Sequence, residues 1–215
     1  MMEGFTSDLN FIKQWLKNNQ PNAYHALQDG LSSTDIDRLL DSLPFFVPEE
    51  VKCLYGWHNG MKLTMLRHDC QLFPYYRFNP LEKAIRLRPD VSSVTEIHFE
   101  NFEYELHQMP QSEYEIMRKH SGVLNNYLLP LFSFDSKQHI CLLGKSDKTE
   151  SSPLFWICYG MGLGLMYDDL RSMFKTIRTC YEVGAYYDFY YPGVDEALEE
   201  QIRNRYNRLG RELGS

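Results

Sequence analysis

Tyr55-Gly56-Trp57-His58-Asn59-Gly60 is the stretch on which the fold turns. It closes a segment that opens Pro48-Glu49-Glu50, with proline suited to a first helical position and acids where the helix dipole favours them. Val51, Leu54 and Tyr55 fall on one face of that helix. Asn59 and Gly60 tolerate left-handed backbone angles, so the spacing predicts a helix stop and a turn into a sheet. Trp57, His58 and Asn59 side by side also have the composition of an active-site loop. The chain offers His58 no catalytic partner at a recognisable spacing, and a large aromatic at a helix end usually packs. The structural reading therefore leads, with Trp57 as a core anchor and Asn59 and Gly60 as the turn.

Working outward, Leu9, Ile12 and Leu16 recur at helical spacing with Trp15 and predict an amphipathic helix over 5–19. Pro21 suits a second helix start and Gly30 its end. Thr34 with Asp37, just before Leu39 and Leu40, resembles a capping box, and Leu43-Pro44 closes that third helix. Asn79-Pro80-Leu81-Glu82 opens another: a cap, a first-turn proline and an acid. Further on, Ile97 and Phe99, then Phe102, Tyr104 and Leu106, alternate on either side of Glu100-Asn101. That predicts a hairpin within 89–110, although Phe102 and Leu106 are also helically spaced. Residues 111–120 read as helical.

The second half is plainer. Leu128-Leu129-Pro130-Leu131-Phe132-Ser133-Phe134 leads through Asp135 to a strand at His139-Ile140-Cys141-Leu142-Leu143. Leu154-Phe155-Trp156-Ile157-Cys158-Tyr159 is almost wholly apolar, which predicts an interior strand. Leu165-Met166-Tyr167 is a third strand. Asp168 or Asp169 caps a helix carrying Leu170, Met173, Phe174, Ile177 and Tyr181, and Gly184 ends it. Tyr186 and Tyr187 belong to an aromatic group that clamps this helix end to the sheet. Leu198, Ile202, Tyr206 and Leu209 mark a last helix. The expected fold is a single α/β (α+β) domain with a central, mainly antiparallel sheet flanked by helices. A helical extension covers 1–34, the main domain 35–191 and a C-terminal helix 192–215.

Of the 215 residues, 43% are hydrophobic, enough for a sizeable core. The net charge of −7 argues against a general grip on nucleic-acid phosphates. No apolar run approaches the ~20 residues of a membrane helix. The first residues lack the basic-then-apolar pattern of a secretory signal. The five cysteines are odd in number and lack Cys-x-x-Cys spacing, and several sit in apolar runs, as buried thiols of a reducing compartment do. A cytoplasmic location follows as the expectation. Asp90, Glu96, Glu100, Glu103, Glu105, Glu113 and Glu115 lie between Arg88 and Arg118 with no cation among them. That is either a solvated face or a patch that steers a basic partner.

Catalytic signatures are missing: no Walker loop, no Gly-x-Ser-x-Gly, no His-Glu-x-x-His. Gly160-Met161-Gly162-Leu163-Gly164 lacks the full dinucleotide pattern and reads as a flexible hairpin turn. No histidine pair has helical metal-ligand spacing beside a carboxylate. No cofactor and no metal are expected. A pair of scattered carboxylates converging in space, as in a hydrolase, stays open.

Blocks of this chain resemble the SUKH superfamily, which includes Knr-type regulators of cell-wall glucan assembly and bacterial immunity proteins. The blocks are Leu43-Pro44 through Val51, then Leu54-Tyr55-Gly56-Trp57-His58-Asn59-Gly60. Leu72-Phe73-Pro74-Tyr75-Tyr76-Arg77-Phe78 and Leu81-Glu82-Lys83-Ala84-Ile85 follow. Leu129-Pro130-Leu131-Phe132 with Asp135 comes next. The last are Tyr167-Asp168-Asp169-Leu170 and Tyr181-Glu182-Val183-Gly184-Ala185-Tyr186-Tyr187. The resemblance covers about residues 35–190. It implies a non-enzymatic domain that acts through protein contacts: an antidote to a toxin, such as a nuclease, or a scaffold in wall assembly. The acidic stretch at 89–110, the turn near Gly160 and the tail after 191 depart from the pattern. Glu96, Glu100, Glu103 and Glu105, with Trp57, His58 and Asp135, are the expected partner contacts. Asn59, Gly60, Gly184, Tyr186 and Tyr187 are the expected structural positions. The partner's identity and the oligomeric state are left open by the sequence.

Overall fold

Strands that are apolar at nearly every position need a sheet covered on both faces. The computed structural model describes residues 2–62, 70–101, 127–159, 162–187 and 193–207, with backbone only over 92–101. These residues form a mixed α/β fold in one domain. In chain order they give α1 (Met2–Asn19), α2 (Pro21–Ala26), β1 (Leu27–Asp29), α3 (Ser33–Leu40), α4 (Glu49–Trp57), β2 (His58–Met61) and β3 (Arg77–Phe78). Then come α5 (Leu81–Asn101), β4 (Leu128–Ser133), β5 (Gln138–Leu143), β6 (Leu154–Cys158), β7 (Gly162–Tyr167), α6 (Leu170–Val183) and α7 (Glu196–Tyr206).

β3 to β7 form an antiparallel meander in chain order, and β1 pairs antiparallel with β2 in a small second sheet. Along β5, Ile140 and Leu142 join the main core while Cys141 and Leu143 join a smaller one behind the sheet. On β6, Leu154 faces the main core and Phe155 and Ile157 the smaller one. This is the period-2 alternation of a strand, with apolar partners on both sides. The main core is filled by Leu9, Ile12 and Leu16 of α1, Val51 and Leu54 of α4, and Met173, Phe174 and Ile177 of α6. Each such side chain stabilises by about 1.5–3 kcal/mol when fully buried. α1 is pinned to α6 by the stacked rings of Trp15 and Tyr181, with centroids 4.0 Å apart. Phe5 on Phe174 at 5.6 Å and the 2.9 Å pair of Arg178 with Asp8 add to the docking.

Local signals set the helix ends. Asp169 and Ser172 make a reciprocal capping box at the start of α6, and Gly184 closes it at φ 76°. Asp195 caps α7 through the Leu198 amide. On α3 the cap is Ser32, bonded to the Asp35 amide, rather than Thr34. Ser32 also donates its hydroxyl to the Asp35 carboxylate, so the capping pair lies two residues upstream of the expected one.

Three expectations are corrected. Residues 97–101 are the last turn of α5, not a strand, because the helix begun at Leu81 continues through Pro89. The alternation of Ile97 and Phe99 was therefore not strand periodicity; the second arm of the expected hairpin, 102–106, and the helix expected over 111–120 lie outside the described residues. The hairpin read at 160–164 does join β6 to β7, but its last residues are strand, with Gly162 and Gly164 paired across β6 with Cys158 and Trp156. Finally, Gly30 does not end a helix. It follows β1, where the chain crosses the last turn of α4.

Candidate functional site

The 55–60 segment is a junction of four elements. α4 ends at Trp57 and β2 starts at the next residue, so Asn59 and Gly60 lie in a strand instead of a free turn. The left-handed angle is present all the same, at Gly60 with φ 71°. A Cβ on Gly60 would collide with the backbone of Asn79 and Pro80, so close approach is a second reason for glycine. Asn59 does work across the chain. Its Oδ1 accepts from the Leu81 amide at 2.9 Å, satisfying an open donor of α5, and its carbonyl accepts from Gln28.

His58 is only 7% exposed. Its Nδ1 lies 2.6 Å from the Gln28 carbonyl, and that geometry makes Nδ1 the protonated nitrogen. Burial first, then the charge of Lys13, holds its pKa below the usual histidine value, against the Gln28 bond and Asp29. His58 therefore faces inward. Trp57 is half-buried, its ring edge-on to His58 at 4.5 Å. The indole has packed as a core anchor does.

A second polar cluster lies beneath the sheet. Pro130 has no amide to give β5, and the ladder slips between Pro130 and Phe132. The carbonyls freed by that bulge go to Asn79. Its Nδ2 donates to the Pro130 carbonyl at 2.9 Å, and its amide to the Leu131 carbonyl at 2.9 Å. Nδ2 also donates to Ser133 Oγ at 2.8 Å, and that hydroxyl is 2.8 Å from His139 Nδ1. Ser133 accepts from Asn79 and shares a second hydrogen bond with His139. Burial is the leading cause that lowers the His139 pKa, which favours the neutral imidazole. A serine hydroxyl hydrogen-bonded to a histidine has the composition of a nucleophile–base pair. Here serine and histidine are each 2% exposed, and the asparagine holds the serine rather than orienting the histidine. The cluster secures the bulge.

A third group pairs charges. Glu50 is fully buried, and its Oε1 lies 2.5 Å from Arg171 Nε. Burial first, and Asp169 second, push its pKa up to about 7 against the pull of Arg171. The sequence read Glu50 only as a first-turn acid. Its i, i+4 relation to Leu54 on the inner face was the missed signal.

The other expected contacts divide. Asp135 Oδ1 accepts from the amides of Lys137 at 2.7 Å and Gln138 at 2.8 Å, shaping the β4–β5 hairpin. Its carboxylate is thus committed to the turn. Glu96 and Glu100 stand one turn apart on α5; Glu103 and Glu105 lie outside the described residues. Tyr186 is buried and donates to Glu199 at 2.8 Å, whereas Tyr187 is 59% exposed. Only Tyr186 of that pair clamps the helix end.

Among the described residues no His, Cys, Asp and Glu group is placed to hold a metal, and no helix is long and apolar enough to cross a membrane. All five cysteines are free thiols, four of them buried. An open groove of about 420 Å³ runs between α3 and α4, over Ile36 and Gly56. No protein-family model matches the chain, and no curated protein matches it.

Proposed function

We propose that this chain is a protein-binding domain of the SUKH type, acting inside the cell by occupying a basic partner, as an immunity protein neutralises a toxin. One observation carries the reading: the polar groups with catalytic chemistry are spent on the fold. Ser133 and His139 are buried with Asn79, and His58 is buried against Gln28. The chain carries a net charge of −7, with seven acids and no lysine or arginine between Arg88 and Arg118. A negative surface attracts a basic partner over distance and raises its on-rate. A toxin nuclease has such a surface, since it must hold phosphates.

The test is capture from the native organism at low and high salt, followed by reversal of Glu96, Glu100, Glu103 and Glu105 to lysine. A basic partner that is lost at high salt and lost on reversal supports the reading. A partner held equally by the reversed chain removes the acidic stretch from it. Turnover of a substrate by the purified chain, abolished by Ser133→Ala, would replace it with a hydrolase.

A further inference from the structure

We infer that the groove between α3 and α4 is the docking site for that partner, and that it takes an aliphatic side chain flanked by lysine or arginine. The inference rests on the reading of the chain as a binding protein and names the surface it uses. The groove holds about 420 Å³, with Leu31, Ile36 and Gly56 in its floor and Asp37, Glu49 and Lys52 on its rim. That size falls in the range of sites that enclose a ligand group.

Two observations say what fits. The first is Gly56. It is an exposed helical residue, where glycine is a poor choice. Among the described residues nothing asks for it: a Cβ there would meet only Ile36 Cδ1, at an ordinary 3.9 Å. A larger residue would simply fill the groove, so the glycine keeps an apolar floor open. The second is charge. Lys52 is 2.6 Å from Asp37 and 4.0 Å from Glu49. Asp41 acts on the same ammonium. Three carboxylates thus share one cation, and Asp37, Glu49 and Asp41 are exposed. The rim is left with surplus negative charge around an apolar floor. Its complement is an aliphatic side chain with a basic neighbour on a partner protein.

The test uses the full chain and a synthetic amphipathic helical peptide with leucine on one face and lysine on the other, followed by fluorescence anisotropy. Two controls carry serine for leucine or glutamate for lysine. The leucine–lysine peptide should bind saturably and the controls should not. Gly56→Leu should weaken binding about tenfold, the effect of losing one central anchor. Asp37→Asn with Glu49→Gln should weaken it and flatten its salt dependence. Gly56→Ala, which leaves most of the groove open, should bind nearly as the parent does, and its melting curve reports whether position 56 tolerates a side chain. Equal binding to Gly56→Leu and the parent overturns the inference, as does equal binding of the serine control. A natural partner captured alike by parent and Gly56→Leu chains also overturns the groove, yet leaves the binding reading standing. Absence of any saturable partner for the parent chain removes that reading itself.

Discussion

Gly30 and Gly56 touch backbone to backbone: a Cβ on Gly30 would overlap the Gly56 carbonyl, while a Cβ on Gly56 would make only an ordinary contact with Ile36. The contact lets the neighbouring Leu31 amide reach the Tyr55 carbonyl at 2.9 Å, closing an open acceptor at the end of α4. One glycine is required by the fold and the other is not.

Gly30→Ala should therefore cost about 3 kcal/mol, because backbone must move to admit the methyl and the Leu31–Tyr55 bond stretches. Gly56→Ala should be neutral or stabilising by about 0.5–1 kcal/mol, through better helix propensity. Urea denaturation of the two variants decides it. Similar midpoints for both would mean that the crossing is looser than described.

How much of this was legible follows from the range of each interaction. The start and face of α4, the capping acid of α6 and the strands around Ile140 and Phe155 are written in local spacing, and they were readable. Asn79 was readable only in part. Its place at the start of α5 is local, but its bonds to Pro130 and Ser133 span more than fifty residues. No local pattern encodes such a bond, although a proline inside an apolar strand does announce a bulge. Gly30 was misread for the same reason: its need comes from Gly56, a neighbour in space alone. The groove beside Gly56 was invisible, because a glycine reads as a breaker until the surrounding side chains are known. The hairpin predicted around Glu100 failed because two aromatic and aliphatic positions mimic period-2 over a short window, and the helix from Leu81 passes through Pro89.

Asn79→Ala should cost about 3 kcal/mol. It leaves the Pro130 carbonyl and the Ser133 hydroxyl buried without their donor, and an orphaned buried polar group costs about 1–3 kcal/mol. Ser133→Ala removes two bonds, to Asn79 and to His139, but Asn79 keeps its bond to the Pro130 carbonyl, so the cost should be less, about 2 kcal/mol. Thermal or urea unfolding gives the order. A larger loss at Ser133 than at Asn79 would show that the histidine, not the bulge, depends on this network.

The docking of α1 predicts a third result. Ile12 is fully buried in the main core, so Ile12→Ala should cost about 2–5 kcal/mol. Trp15→Ala should release the stack on Tyr181 and raise the rate of amide exchange in α1 and α6 together. Exchange rising in α1 alone would place α1 outside the cooperative unit.

Stability should respond to pH through two opposed groups. His58 and His139 titrate lower in the folded chain than the ordinary 6.5, chiefly because burial disfavours their charged forms. As pH falls below 6.5 the unfolded chain takes up protons that the folded chain refuses, so these histidines make stability fall with acid. Glu50 works the other way. Its carboxyl moves from 4.5 to about 7 on folding, so over that window the unfolded chain has released a proton that the folded chain keeps. Its contribution therefore falls as pH rises, on the order of 3 kcal/mol by neutrality. The parent should show a shallow dependence between pH ~5 and ~7 as the two effects cancel. Glu50→Gln removes one of them. Its stability should rise clearly with pH across that range, and its gain over the parent should be largest at the alkaline end, reduced there by the lost pairing with Arg171. His58→Gln should tilt the balance the opposite way. Urea midpoints at both ends of the window read the result, and identical pH profiles for parent and Glu50→Gln would show that Arg171 keeps Glu50 ionised throughout.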